Sequence, residues 1–135
     1  MSQSPRGTSI AHLGIAVSAL ADSLPFYRDV LGLPVTPLDD ADGARIVGLV
    51  AGESLVELLE AETADSPIAR FVARRGPGMH HVCFAVDDID QTLARCREAG
   101  IRLIDETPRI GAEGKRIAFI HPSSTAGVLV ELSEY

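Results

Sequence analysis

The sequence predicts an α+β fold in which one chain carries two copies of a β-α-β-β-β module, their sheets lining a cavity around a metal site. Two observations support this. Sliding the chain by 69 places lays Ile10-Ala-His-Leu-Gly-Ile-Ala-Val17 over Met79-His-His-Val-Cys-Phe-Ala-Val86, with His12 on His81, Ala16 on Ala85 and Val17 on Val86. Downstream, Leu24 falls on Leu93 and Arg28 on Arg97, and after one small length change Leu55-Val-Glu-Leu58 falls on Leu129-Val-Glu-Leu132. The second observation is alternation, since strand side chains leave on opposite faces in turn. Leu13, Ile15 and Val17 oppose His12, Gly14 and Ala16, while Val82, Phe84 and Val86 oppose His81, Cys83 and Ala85. In each copy the bulky face packs under a helix, and the face with the histidine is otherwise lined by small residues, as a cavity wall should be.

Module one spans about residues 8–62. Strands are expected near 10–17, 33–38, 44–51 and 54–60, with a helix after the first that runs to about Leu31 and stops at Gly32 in the left-handed region. Pro25 is tolerated only near a helix's first turn, which pushes the expected start later than Leu20. Asp65-Ser66-Pro67 reads as a helix start, a capping side chain followed by Pro at an early position, so a connecting helix is expected over about 66–75. It should stop at Gly76-Pro-Gly78. Module two, about 78–135, repeats the plan with strands near 79–86, 101–106, 116–121 and 127–133 and a helix over about 89–99 ending at Gly100. The whole is read as a single domain, residues 1–135.

Bulk properties narrow the function classes. A chain of 135 residues with 46% hydrophobic and 23% charged residues is an ordinary globular composition. No apolar run approaches the roughly 18 residues that cross a bilayer, and the N-terminal segment lacks the apolar stretch of a secretory signal. Two cysteines, Cys83 and Cys96, make no disulfide framework, so a reducing cytoplasm is expected. The net charge of −7 argues against a nucleic-acid or membrane surface, although a few local Lys and Arg still suit an anionic small ligand.

The closing strands put Glu57 opposite Val56 and Leu58, and Glu131 opposite Val130 and Leu132. Neutral imidazole with carboxylate suits a borderline divalent ion, and two of each leave room for substrate oxygens. His12, Glu57, His81 and Glu131 are therefore the expected ligands of a cobalt, manganese, nickel or zinc ion. A lone strand histidine is more often a satisfied core residue, and a lone glutamate at a strand end is usually solvated. Recurrence of both at matched places outweighs that reading, because burying such groups without a partner is costly. His80 aligns with Ala11 on the helix-packing face and is not expected to bind metal. His121, before Pro122, has no counterpart and is read as structural. Cys83 shares the cavity face and could touch the metal, but is read as a small buried filler.

The duplicated module, with His opening and Glu closing, resembles the vicinal oxygen chelate superfamily over almost the whole chain. The closer resemblance is to the methylmalonyl-CoA epimerase family. It rests on His12-Leu-Gly-Ile-Ala-Val17, Phe26-Tyr27 with Leu31-Gly32, Val56-Glu-Leu-Leu59, Asp65-Ser-Pro-Ile-Ala69 and Gly78-Met-His-His81. Most specific is Ile110-Gly-Ala-Glu-Gly-Lys115, running through Phe119-Ile-His-Pro122 to Gly127-Val-Leu-Val-Glu131. The resemblance implies an eight-stranded, open-barrel-like curved sheet, a homodimer, and ligation by His12, His81 and Glu131 with Glu57 completing the site. It also implies interconversion of (2R)- and (2S)-methylmalonyl-CoA by C2 proton abstraction through a metal-stabilised enolate. Pseudo-twofold symmetry nominates Glu131 and Glu57 as acid/base groups on opposite faces. Two departures stand out: the family's proposed acidic base aligns with Ile46, which cannot transfer a proton, and Ser123 stands where relatives often carry Lys. Lys115 and Arg116 are the expected contacts to the CoA portion; a plain hairpin turn with solvated charges is the alternative. A glyoxalase-type lyase, or a non-catalytic binding protein of the same fold, is the competing function.

Overall fold

The computed structural model describes residues 5–135. Among them the elements run β1 (Ser9–Val17), α1 (Leu20–Pro25), β2 (Val35–Pro37), β3 (Ala44–Ala51), β4 (Ser54–Ala61), α2 (Pro67–Arg75), β5 (Gly78–Val86), α3 (Ile89–Glu98), β6 (Arg109–Ile110), β7 (Arg116–Ile120) and β8 (Leu129–Glu134). The α+β class and both β-α-β-β-β copies are present, with α2 as the expected connector. No helix among the described residues is long and apolar enough to cross a membrane.

The described residues fall into two compact units, His12–His81 and Val82–Tyr135 with residues 5–11. In the first, the strand order is β2-β3-β4-β1. β1 and β4 run parallel, setting Gly14 opposite Glu57 and Ala16 opposite Leu59. β3 pairs antiparallel with both neighbours. Ile15, Val17, Leu49, Val56 and Leu58 pack under Leu20, Leu24 and Tyr27, the helix-facing cluster that the alternation predicts. Leu49 and Leu58 are fully buried, each contributing about 1.5–3 kcal/mol of burial. On the other face, Ile68, Phe71 and Val72 of α2, spaced for one helical side, cover Ala16, Ala44, Ile46 and Leu59. The connector therefore closes the same face that carries His12. Ser66 caps it, its hydroxyl accepting from the Ala69 N–H at 3.1 Å.

In the second unit the order is β5-β8-β7-β6, with β7 antiparallel to both β6 and β8. Val86, Ala118, Ile120 and Leu132 form its core with Ile89 and Leu93 of α3, and Phe84 and Val130 flank them. Both modules hold the first N–H of their helix in the same way. The Leu20 N–H donates to Glu60 at 3.0 Å, and the Ile89 N–H donates to Glu134 at 3.0 Å. Each glutamate lies three residues past the closing Glu57 or Glu131, and a carboxylate suits a helix N-terminus.

Two expectations are corrected. The first helix does start at Leu20, with Pro25 inside it. Pro25 has no N–H to give the preceding turn, and the helix widens directly afterwards into one π turn over Phe26–Val30, closed by the Leu31 N–H to the Phe26 carbonyl at 2.9 Å. Gly32 (φ 72) and Gly100 (φ 74) stop the two module helices as expected. Residues 101–106 do not form a strand: Leu103 makes an isolated bridge to Ile120, and the edge strand is Arg109–Ile110. The reason lies in Asp105, whose carboxylate takes the Phe119 N–H at 2.8 Å, and in Pro108, which has no ladder donor.

Candidate metal centre

The parallel pairing of β1 with β4 brings His12 and Glu57 together from strands joined in register at Gly14. His12 Nδ1 lies 3.2 Å from Glu57 Oε2, and both side chains are buried. His12 Nε2 lies 3.0 Å from His81 Nε2, the rings meeting edge to face with centroids 5.1 Å apart. Gly14 is what admits this arrangement. A Cβ there would lie 2.1 Å from His81 Cε1 and 2.3 Å from Nδ1, so the imidazole occupies the space that a side chain would need. Gly48, on the other side of Glu57, is filled likewise by Thr36 and Leu38.

His12, Glu57 and His81 are 3%, 4% and 6% exposed, so water does not solvate them. One donor atom from each lies within 4.8 Å of the others. Two donors about 2.1 Å from one ion sit about 3.0–3.4 Å apart in octahedral or tetrahedral geometry. The Nε2–Nε2 separation of 3.0 Å falls on that range. The donor types of the trio and the spacing of the two histidine nitrogens therefore fit a divalent ion.

Glu131 is buried on β8, opposite Phe119 in register, with its neighbours Val130 and Leu132 in the α3 core, as the alternation predicts. Cys83 is fully buried. Ile46 pairs with Leu59 and packs in the α2 cluster, an apolar seat for the position where the family can carry an acid. His121 is structural: its Nδ1 accepts from the Ser123 N–H at 3.0 Å, capping a single 3₁₀ turn.

The segment from Gly111 to Lys115 is the turn of a β6–β7 hairpin. The Gly111 N–H donates to the Lys115 carbonyl at 2.9 Å and the Gly114 N–H to the Gly111 carbonyl at 3.0 Å. Gly114 needs its positive φ of 74°, and a Cβ on Gly111 would come within 2.8 Å of Ile117 Cδ1. Of the two expected cations, Lys115 is exposed. Arg116 is engaged by the protein's own acids, with Nη2 2.9 Å from Asp90 and Nη1 3.4 Å from Glu134. The hydrogen bond to Asp90 holds its pKa above the ordinary value. His80, not an expected ligand, has its Nδ1 2.9 Å from His81 Nδ1. A histidine on an otherwise apolar helix-packing face was the signal that could have marked it.

Residues 9–132 match the Glyoxalase/Bleomycin resistance protein/Dioxygenase superfamily. The chain is 41% identical over 127 residues to the mitochondrial methylmalonyl-CoA epimerase of Bos taurus, covering 91% of this chain and 72% of that one. The chain belongs to this superfamily, in its methylmalonyl-CoA epimerase family. It is also 38% identical to the ethylmalonyl-CoA/methylmalonyl-CoA epimerase of Cereibacter sphaeroides, over 91% of this chain and 95% of that one. A solved methylmalonyl-CoA epimerase in complex with methylmalonyl-CoA and NH4+ superposes with a TM-score of 0.89 at 36% identity, covering 94% of each chain. The family that the local motifs indicated is thus the one found.

Proposed function

We propose that this chain interconverts (2R)- and (2S)-methylmalonyl-CoA, with a divalent ion held by His12, Glu57, His81 and Glu131. The observation that carries the reading is the buried trio of His12, Glu57 and His81, whose donors lie within 4.8 Å of one another. Glu131 joins it by repeat equivalence with Glu57 and by its own burial. Cobalt, manganese, nickel and zinc are the ions that imidazole and carboxylate donors suit. A divalent ion, when bound, supplies Lewis acidity toward the charge that develops on the substrate's carboxylate and thioester oxygens.

The proton work falls to the chain's own acids. Glu131 takes the C2 proton from one face, and Glu57, or a water it holds, returns one to the other. Ile46 supports this assignment, since the side chain there has no proton to exchange. Burial of both glutamates keeps bulk water from competing for the proton. Lys115, exposed on the hairpin, contacts the phosphates or pantetheine of CoA, with Arg116 beside it in a supporting place. Residues 1–135 act as one vicinal oxygen chelate domain in the cytoplasm. Exposed Phe26, Val30, Leu31 and Val35 support a homodimer.

The test is to incubate cobalt-loaded protein with (2R)-methylmalonyl-CoA and follow the (2S) form by chiral separation. Approach to an equal mixture is expected. Turnover of a glutathione hemithioacetal with no change in methylmalonyl-CoA would replace the epimerase reading by the lyase one.

A further inference from the structure

We propose that His80 is a positioning residue for the metal centre: its Nδ1 holds Nδ1 of His81 and so aims His81 Nε2 at the ion. This rests on the metal-site reading above. An imidazole that binds a metal must turn a lone pair toward it, so its one hydrogen sits on the other nitrogen. The group that accepts that hydrogen fixes the tautomer and the ring's orientation.

The two nitrogens of His81 face different partners. Nε2 is 3.0 Å from His12 Nε2, and Nδ1 is 2.9 Å from His80 Nδ1. Adjacent strand residues leave on opposite faces, so neighbouring histidines meet only through the ring nitrogens nearest the backbone. The Nδ1–Nδ1 contact is of that kind. His80 is itself braced, its ring edge to face with Phe71 of α2 at 5.0 Å between centroids and with His81 at 5.2 Å. α2 therefore packs against His80 through Phe71. With His81 donating from Nδ1, His80 accepts at Nδ1 and carries its own hydrogen on Nε2.

In the first module the position matching His80 is Ala11, so a neighbouring imidazole on the ligand's Nδ1 is a feature of the second module.

The test compares cobalt affinity, read by visible absorption, in His80→Asn, His80→Phe and His80→Ala. The Asn carbonyl oxygen lies near where His80 Nδ1 sits, whereas Phe keeps the packing on Phe71 but accepts nothing. Wild type and His80→Asn should bind within a few-fold of each other, and His80→Phe and His80→Ala about 10–100-fold more weakly. In nitrogen-15 NMR of the zinc-loaded protein, the His81 hydrogen should sit on Nδ1 in wild type and His80→Asn; its signal should shift in His80→Phe. Wild-type affinity in His80→Phe, or no rescue by Asn, overturns the proposal. If wild type binds no cobalt, the metal-site reading fails on its own. The NMR comparison of metal-free wild type and His80→Phe then still decides: unchanged His81 nitrogen shifts would show that His80 does not orient the ring.

Discussion

Replacing Gly14 by Ala should eject His81 from the proposed metal centre. An added Cβ would lie 2.1 Å from His81 Cε1, 2.3 Å from Nδ1 and 2.7 Å from Nε2, so all three atoms are pressed together. Non-bonded carbons need about 3.5 Å, so the ring must retreat by about 1.4 Å. A metal–donor bond tolerates only about 0.2 Å, and a displaced Nε2 therefore leaves the donor set. Losing an outer partner alone weakens metal binding about 10–100-fold; losing a ligand should weaken it more than 100-fold. Overpacking should cost a further 1–3 kcal/mol, roughly, of stability, seen as a lower Tm of the metal-free protein. Cobalt titration and thermal unfolding measure both. The double variant Gly14→Ala with His81→Ala removes the clash, so its Tm should recover to that of His81→Ala alone. Gly14→Ala with wild-type cobalt affinity would refute the placement of His81 over Gly14.

Other expectations follow from the same geometry. Glu131→Gln should keep part of the metal and lose C2 proton exchange, while Glu57→Gln should lose epimerisation yet still exchange the C2 proton of one epimer; wild-type epimerisation in Glu57→Gln would leave it a ligand at most. Lys115→Ala should raise KM for methylmalonyl-CoA with little change in kcat, and less so at high salt. Arg116→Ala should raise KM less, because Asp90 and Glu134 already hold that guanidinium; the reverse order would contradict this. Burial pushes the Cys96 thiol above its ordinary value, so at pH 8 less of it is thiolate and iodoacetamide should modify it more slowly than free cysteine. An equal rate would count against its packing in the α3 core.

Much of this architecture was legible because the chain states it twice. The 69-residue offset and the alternation around His12 and His81 identified the strands, the helix-facing sides and the buried glutamates. Glycine stops and the Ser66-Pro67 cap placed four helix ends. What escaped involves single side chains overriding a local pattern. Asp105 replaces a strand's ladder bond at Phe119, so the expected strand at 101–106 is absent. Pro25 sits inside a helix that relaxes into a π turn, an outcome that propensity alone does not foresee. Arg116 looked free beside Lys115 because Asp90 lies 26 residues away in sequence. The alternation puts His80 on the helix-packing face, whereas its ring nitrogen reaches back to its neighbour.

The most direct test of the central claim is deuterium incorporation at C2 of methylmalonyl-CoA in deuterated water, compared between chelator-stripped and cobalt-reloaded protein. The reloaded wild type should exchange C2 and the stripped protein should not, and His12→Ala and His81→Ala should stay inactive after reloading while remaining folded. Exchange at the wild-type rate in the stripped protein, or in reloaded His81→Ala, would contradict a reaction centred on the metal held by these two histidines.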